Sequence, residues 1–291
     1  METLQQRAKT NETPVESGEL VGFARLPSAD YHTIDRCSSH RLSMLRKSPA
    51  HLQHSLATPE TTDAMRVGEA VHCAILEPSQ FRSRFAVAPK VDRRTTVGKE
   101  TWANFCLENS HKTVISEDDN RTIDGIRGAI NRNETSRLLI SLVGDVEVCG
   151  FWTDETTGLK CKMRIDARCQ TLGALLDLKT TVCASRREFE RAIFNYGYHR
   201  QAAFYLDGCK ALGEFYEDYT IIAVEKEAPF ALAVYRLKDD VIELGRKENA
   251  ALMQLYGSCE RSGEWPGYPD LVQDIGLPAW AKRQIEEDNA I

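Results

Sequence analysis

The spacing of apolar residues divides the chain into a helical first half and a second half in which strands and helices mix. Residues 1 to about 27 are polar and carry no apolar period, so a mobile tail is expected there, with the fold starting at Tyr31. Apolar residues then recur at helical spacing over 39–45 and 49–56, with Pro49 in the first turn of the second helix. After a polar loop at 58–62, the stretch 64–76 places Val67, Val71 and Ile75 on one helical stripe and Gly68, His72 and Leu76 on the next. Pro78 ends that helix. An extended basic connector with Lys90, Arg93 and Arg94 is expected at 86–96. Helices follow at 98–109, at 116–131 with Ser116 as N-cap, and at 134–142.

From residue 146 the period changes from 3.6 to 2. Lys160, Lys162, Arg164 and Asp166 alternate with Cys161, Met163, Ile165 and Ala167, and a turn over Glu155–Gly158 joins this strand to a preceding one at 146–153. A third strand, 174–180, is almost continuously apolar until Asp177, which marks a central strand covered on both faces. Ser185-Arg-Arg-Glu188 reads as a capping box opening a helix through Phe194, Asn195-Tyr-Gly197 interrupts it, and a second helix covers 198–212. Strands at 218–226 and 230–237 meet around Pro229, and a helix over 239–259 follows. The pattern predicts an α/β fold with a mixed central sheet and a helical N-terminal region. Its expected organisation is a flexible tail over 1–28 and one domain over 29–291. That domain divides into a mainly helical part (29–145), the α/β core (146–262) and an irregular C-terminal segment (263–291).

Composition narrows the function classes. The chain has 291 residues, with 37 Lys and Arg against 43 Asp and Glu, a net charge of −6, which excludes a uniformly basic nucleic-acid binder. Any DNA contact has to use a local basic surface. With 42% apolar and 27% charged residues, the chain can bury a core. No apolar run is long enough to span a membrane, and the first twenty residues lack the apolar segment of a signal peptide. Nine scattered cysteines without a C-x-x-C pair fit reduced thiols and argue against a zinc ribbon. A cytoplasmic protein without a membrane partner is expected.

The chemistry concentrates in Arg164-Ile-Asp166 and Asp177-Leu178-Lys179, which the hairpin brings onto adjacent strands. The strand period puts Asp177 and Lys179 on one face, so two carboxylates and an ammonium converge. Carboxylates at the end of a buried strand need cations, and hard oxygen ligands favour Mg²⁺ or Mn²⁺. Such metals lower the pKa of bound water and stabilise the charge that develops on a phosphodiester during hydrolysis. Lys179 could orient or help deprotonate that water, or hold a phosphate oxygen. The plain alternative is an ion pair between Asp177 and Lys179. His72 on its helix, and Gln201 and Tyr205 four residues apart on theirs, are each unremarkable alone.

Taken together, Gly68…His72, Arg164-x-Asp166, Asp177-x-Lys179 and Gln201-Ala-Ala-Phe-Tyr205 resemble, in order and spacing, the PD-(D/E)XK nucleases of the RecB type. More narrowly, the chain resembles the RecE (exonuclease VIII) exonucleases and their phage relatives. That likeness runs through Asp30-Tyr31-His32, Ser48-Pro49-Ala50-His51, Leu76-Glu77-Pro78, Asp177-Leu-Lys-Thr-Thr181 and Tyr198-His199-Arg200-Gln201 to Leu277-Pro278-Ala279-Trp280. Ile165 stands where the proline that names the superfamily would be, leaving the carboxylate in place. The resemblance implies a restriction-endonuclease-like core in which Asp166, Asp177, His72 and the Leu178 backbone carbonyl hold the metals and Lys179 is the catalytic lysine. It also implies that Gln201 and Tyr205 lie against the DNA strand near the scissile phosphate. Glu147 is a candidate ligand for a second metal, or an exposed strand residue. Lys162 and Arg164 share the strand face of Asp166 and are candidate DNA contacts. Ser38, Ser39 and Arg41, at a helix start, resemble a 5′-phosphate pocket.

The function so implied is a Mg²⁺-dependent exonuclease, with two ions per site and Mn²⁺ as a substitute, that degrades duplex DNA 5′→3′ from its ends. The 3′ single strand left behind would serve a RecT-like annealing protein in recombination, and the resemblance implies a homo-oligomeric ring, a tetramer in some relatives. Two rivals are a RecB-type or CRISPR-associated end-processing nuclease or endonuclease, and a catalytically silent DNA-binding protein on the same scaffold.

Overall fold

The computed structural model describes residues 20–58 and 62–288. A short strand, β1 (Gly22–Ala24), and a short helix, α1 (Ser28–Thr33), come first. Next are α2 (Ser39–Leu45) and α3 (Pro49–Ala57), opened by Ser38 and Ser48, whose hydroxyls accept the amide hydrogens of Arg41 and His51. Thr62 caps α4 (Asp63–Leu76) in the same way. Beyond it lie α5 (Phe81–Arg84), β2 (Phe85–Val87), α6 (Thr96–Glu108) and β3 (Thr113–Ile115). Ser116 and Asp119 form a reciprocal capping box at the start of α7 (Glu117–Arg132), and Asn133 caps α8 (Glu134–Ser141).

The second half supplies the sheet: β4 (Asp145–Thr153), β5 (Lys160–Cys169) and β6 (Ala174–Thr181), then α9 (Arg186–Tyr196) and α10 (Tyr198–Ala211), then β7 (Asp218–Glu225) and β8 (Leu232–Arg236). Helices α11 (Asp239–Ser262) and α12 (Ala279–Asp288) close the chain. The six-stranded sheet has the order β1-β4-β5-β6-β7-β8 and is antiparallel except at β6 and β7. A parallel pair requires a crossover, which α9 and α10 provide. The mixed sheet and flanking helices are those expected from the sequence, and β6 lies inside the sheet as its apolar run predicts.

Alternation along β7 shows how the sheet is covered. Ile221 and Ala223 join the core with Met163, Ile165, Leu175 and the α10 residues Ala202, Ala203 and Leu206. On the opposite face, Ile222 and Val224 join Leu178 and the residues of α4 and α7, among them Val71, Ile75, Ile123 and Ile126. The helical stripe of α4 is thus pressed onto the sheet, which brings His72 to the end of β6. Outside α10 lies α11, where Gly245 permits a close crossing: a Cβ at that position would overlap the His199 carbonyl of α10.

Three local expectations are corrected. Residues 22–24 pair with β4, because the edge of that strand offers free backbone groups, so this part of the stretch read as a tail over 1–28 is ordered; residues 1–19 lie outside the described ones. Helix α12 forms within the stretch read as irregular, 263–291. Ser185 does sit at the N-cap of α9, but its side chain makes no cap, and Glu188 pairs with Arg191 instead. The small parallel pair of β2 and β3 was not expected, since three-residue strands are too short to show a period.

Gly245→Ala should separate α10 from α11 and cost about 1–3 kcal/mol, read from the denaturant midpoint, because backbone cannot rotate away as a side chain can. Gly257→Ala in the same helix would meet chiefly the flexible end of Arg261, and should be neutral or stabilising by up to about 1 kcal/mol. Equal effects at the two positions would contradict the close crossing.

Candidate active site

The site opens where two strands part. β5 and β6 pair at Cys169–Ala174, Arg168–Leu175 and Ala167–Leu176, and there the ladder stops. Two residues beyond Leu176, the Leu178 amide donates to Asp166 Oδ2 at 3.0 Å, a side chain replacing the neighbouring strand's carbonyl. In the next peptide group, the Leu178 carbonyl accepts a hydrogen bond from His72 Nε2 at 2.8 Å. The main chain of Leu178 therefore ties Asp166 of β5 to His72 of α4.

With Nε2 carrying the donated hydrogen, His72 turns Nδ1 toward two carboxylates, Asp166 at 3.5 Å and Glu147 at 3.8 Å. The ligand atoms of His72, Glu147 and Asp166 all lie within 4.8 Å of one another. An imidazole nitrogen and hard carboxylate oxygens, with the second ring nitrogen fixed by a carbonyl, form a donor set that fits a divalent cation. Glu147, the residue for which an exposed strand position was an equal reading, is one of the three. Its backbone is left-handed at φ 53°, a conformation that glutamate rarely adopts and that breaks the β4–β5 pairing between Val146–Ala167 and Val148–Ile165. Arg164 Nε holds its carboxylate at 2.6 Å.

Asp177 belongs to a second group. It is 2% exposed, and its carboxylate receives Lys179 Nζ at 2.8 and 2.9 Å and Gln201 Nε2 at 3.0 Å. Tyr205, one turn along α10, is half-buried against the core below Gln201. Tyr219 of β7 is 1% exposed, its hydroxyl has no hydrogen-bond partner among the described residues, and burial and the nearby Asp177 charge raise its pKa well above the ordinary tyrosine value, a neighbour that an isolated β7 tyrosine gave no reason to single out. Burial raises the Asp177 pKa, with Asp166 adding to the shift and Lys179 opposing it. Burial disfavours a charge on Lys179, but Asp177 and Asp166 outweigh that and raise its pKa, so the residue is an ammonium donor rather than a resting base. Burial also raises Tyr205 well above the ordinary tyrosine value, keeping its hydroxyl protonated.

The predicted DNA contacts fare differently. Lys162 is a correction: it is 5% exposed, and its ammonium donates to the carbonyls of Tyr31 and Ile34 at 2.8 and 2.7 Å, because α1 folds over this part of the strand. Arg164 lies in the site but is engaged by Glu147. Ser38 serves as an N-cap, and Arg41 is turned toward Asp35 and the Tyr256 hydroxyl. Ser39 lines a neighbouring cavity together with Gln201 and Tyr205. The Leu178 carbonyl, an expected metal ligand, serves here as the His72 acceptor.

The profile of the PDDEXK-like domain of unknown function (DUF3799) matches residues 30–275. The chain belongs to this family. No curated protein matches it. A protein of Eubacterium rectale provisionally called an exonuclease shares the fold, with TM-score 0.56 and 13% identity over 89% of this chain and 98% of that one. An alkaline exonuclease from Laribacter hongkongensis matches at TM-score 0.28 and 13% identity, over 75% of this chain and 98% of that one. This PDDEXK-like chain thus has the fold that its motifs implied. Membership in the family, with a compact acidic site suited to a divalent cation, supports a nuclease. Among the described residues, no helix is long and apolar enough to cross a membrane.

Burial works against a charge on His72, but Asp166 and Glu147 overcome it and raise its pKa from 6.5 to about 9. A raised histidine pKa stabilises the fold fully below the unfolded value, and that contribution is lost as pH rises through the folded one. Metal-free protein should therefore lose about 3 kcal/mol between pH 6 and pH 10 relative to a His72→Gln variant, measured by urea denaturation. Because a cation has to displace the same proton, Mn²⁺ affinity in a calorimetric titration should rise across this window. An affinity that ignores pH there would exclude His72 from the site.

Proposed function

We propose that the chain is a Mg²⁺-dependent exonuclease, with Mn²⁺ able to substitute, that degrades linear duplex DNA 5′→3′ and leaves a 3′ single strand. The observation that carries this reading is the pair of clusters joined through Leu178: His72, Glu147 and Asp166 on one side, Asp177, Lys179 and Gln201 on the other. His72 Nδ1, Asp166 and Glu147 would hold one ion, and Asp177 would help to hold a second. Divalent ions bound there supply a water of lowered pKa and charge stabilisation on the phosphate.

The protein's own groups do the rest. The Lys179 ammonium, held by both Asp177 oxygens, is placed to shift a hydrogen bond to a phosphate oxygen as negative charge develops on it. Gln201 orients Asp177 and can meet the strand with its remaining amide hydrogen, and the protonated Tyr205 hydroxyl adds a neutral donor nearby. Arg164 keeps Glu147 ionised and aimed at the site: burial would raise the Glu147 pKa, but His72 and Arg164 hold it below the usual carboxylate range. The narrower likeness to RecE-type exonucleases supports a homo-oligomeric ring, of the tetrameric kind, around the duplex. It also supports a cytoplasmic role in recombination beside a RecT-like annealing protein.

The test is digestion of linear duplex DNA, labelled at either 5′ or 3′ ends, beside closed circular DNA. Early release of 5′ label in Mg²⁺ with the circle intact is expected, and Lys179→Ala or Asp177→Asn should reduce the rate roughly 100-fold or more while leaving the protein folded. Cutting of the circle would replace the reading with an endonuclease, and full activity in Asp177→Asn would remove the site.

A further inference from the structure

Beside the catalytic clusters lies a cavity of about 500 Å³ between α2 and the junction of α9 and α10. Its walls include Arg46, Lys47 and Arg200, it shares Gln201 and Tyr205 with the site, and among the described residues no acidic side chain lines it. Among the described residues, Glu248 is the carboxylate paired with the two arginines, 3.7 Å from Arg46 and 3.5 Å from Arg200, and it is shared with His199 at 3.2 Å. Cations outnumber that single anion.

Arg200 is the unusual member. Its side chain is 4% exposed, yet Nε and Nη1 find no hydrogen-bond partner among the described residues, and its approach to Glu248 is too long to serve as one. A buried guanidinium left with unused donors is costly. The chain nevertheless makes room for it: Gly197, left-handed at φ 72°, leaves the space in which a Cβ would overlap the guanidinium. Burial and the neighbouring Arg46 lower the Arg200 pKa, and an anion in the cavity would relieve both. Arginine donors of this kind suit phosphate oxygens. On the cavity rim, the Tyr196 ring is 67% exposed and stacks on Tyr198 with centroids 5.7 Å apart, and Tyr198 lies 5.2 Å from Lys179 Nζ, so an aromatic surface leads toward the catalytic lysine.

We propose that Arg200, with Arg46 and Lys47, binds a phosphate of the DNA strand that enters the active site. The inference rests on the nuclease reading for the identity of the strand, and it names a recognition residue one position before Gln201.

Binding is measured apart from cleavage, by fluorescence anisotropy of short labelled DNA in a Lys179→Ala background. Arg200→Gln should weaken binding about tenfold and lower the slope of log affinity against log salt by about one, with Arg200→Lys recovering part of the loss. Strands with a 5′-phosphate and a 5′-hydroxyl locate the phosphate: an equal loss with both places an internal phosphodiester at Arg200, and a loss confined to the phosphorylated strand places the terminal group there. Unchanged affinity and slope in an Arg200→Gln protein of unaltered melting temperature would overturn the proposal. Should that variant fail to fold, the more exposed Arg46→Gln, Lys47→Gln double variant decides: weaker binding supports the phosphate site, and unchanged binding overturns it. Arg200-dependent binding by a wild-type protein that cuts no DNA would end the nuclease reading and keep this one.

Discussion

The arrangement of the site depends on the main chain of Leu178. Its amide and its carbonyl are both taken out of ordinary strand pairing toward β5, the first by the Asp166 carboxylate and the second by the His72 imidazole. A buried backbone amide needs a partner, and here that need is met by functional side chains. The consequence is geometric: α4, β5 and β6 are held together at one point, while Asp177 and Lys179, on either side of Leu178, project together to the face opposite the Leu178 side chain. Asp166 reaches Leu178 from the neighbouring strand, whereas His72 reaches it only because α4 packs on that face of the sheet.

Charge balance follows from that geometry. Asp166, Asp177 and Glu147 are all largely withdrawn from water, and each has a cationic or dipolar neighbour: His72 for Asp166 and Glu147, Arg164 for Glu147, Lys179 and Gln201 for Asp177. Such compensation has a functional side. The proton on His72 occupies the electrostatic role that a divalent cation would take, so the cluster tolerates its own charge without the ion and can exchange one positive species for another. The left-handed Glu147 backbone adds local strain to the same site, where it turns the carboxylate inward and interrupts the β4–β5 ladder.

Much of this was legible in the sequence because it rests on local periodicity. The alternation over 160–167 and the apolar run before Asp177 were enough to identify a hairpin with Asp166 and Asp177 on neighbouring strands, and the stripe on α4 was enough to show which face His72 borders. The spacing of Gln201 and Tyr205 placed both on one side of α10. Other features have no local signature. A short strand such as Gly22–Ala24 forms because an edge is available to it, and the capping pattern at Ser185 is present in the letters while the side chain turns elsewhere.

What the sequence determined by itself was the fold class and the identity of the residues that carry charge at the end of β6. These follow from the 2.0 and 3.6 periods, which each chain segment expresses independently of its neighbours. Tertiary structure alone decided how those charges are partnered. It separated Asp177, with its lysine, from the His72, Glu147 and Asp166 set, buried Lys162 under α1 and left Arg200 short of partners beside an open cavity. The physical reason is that desolvation and ion pairing depend on distances between segments far apart in the chain. A lysine or arginine looks the same in the sequence whether its nearest neighbour is a carboxylate, a carbonyl or a space for a phosphate.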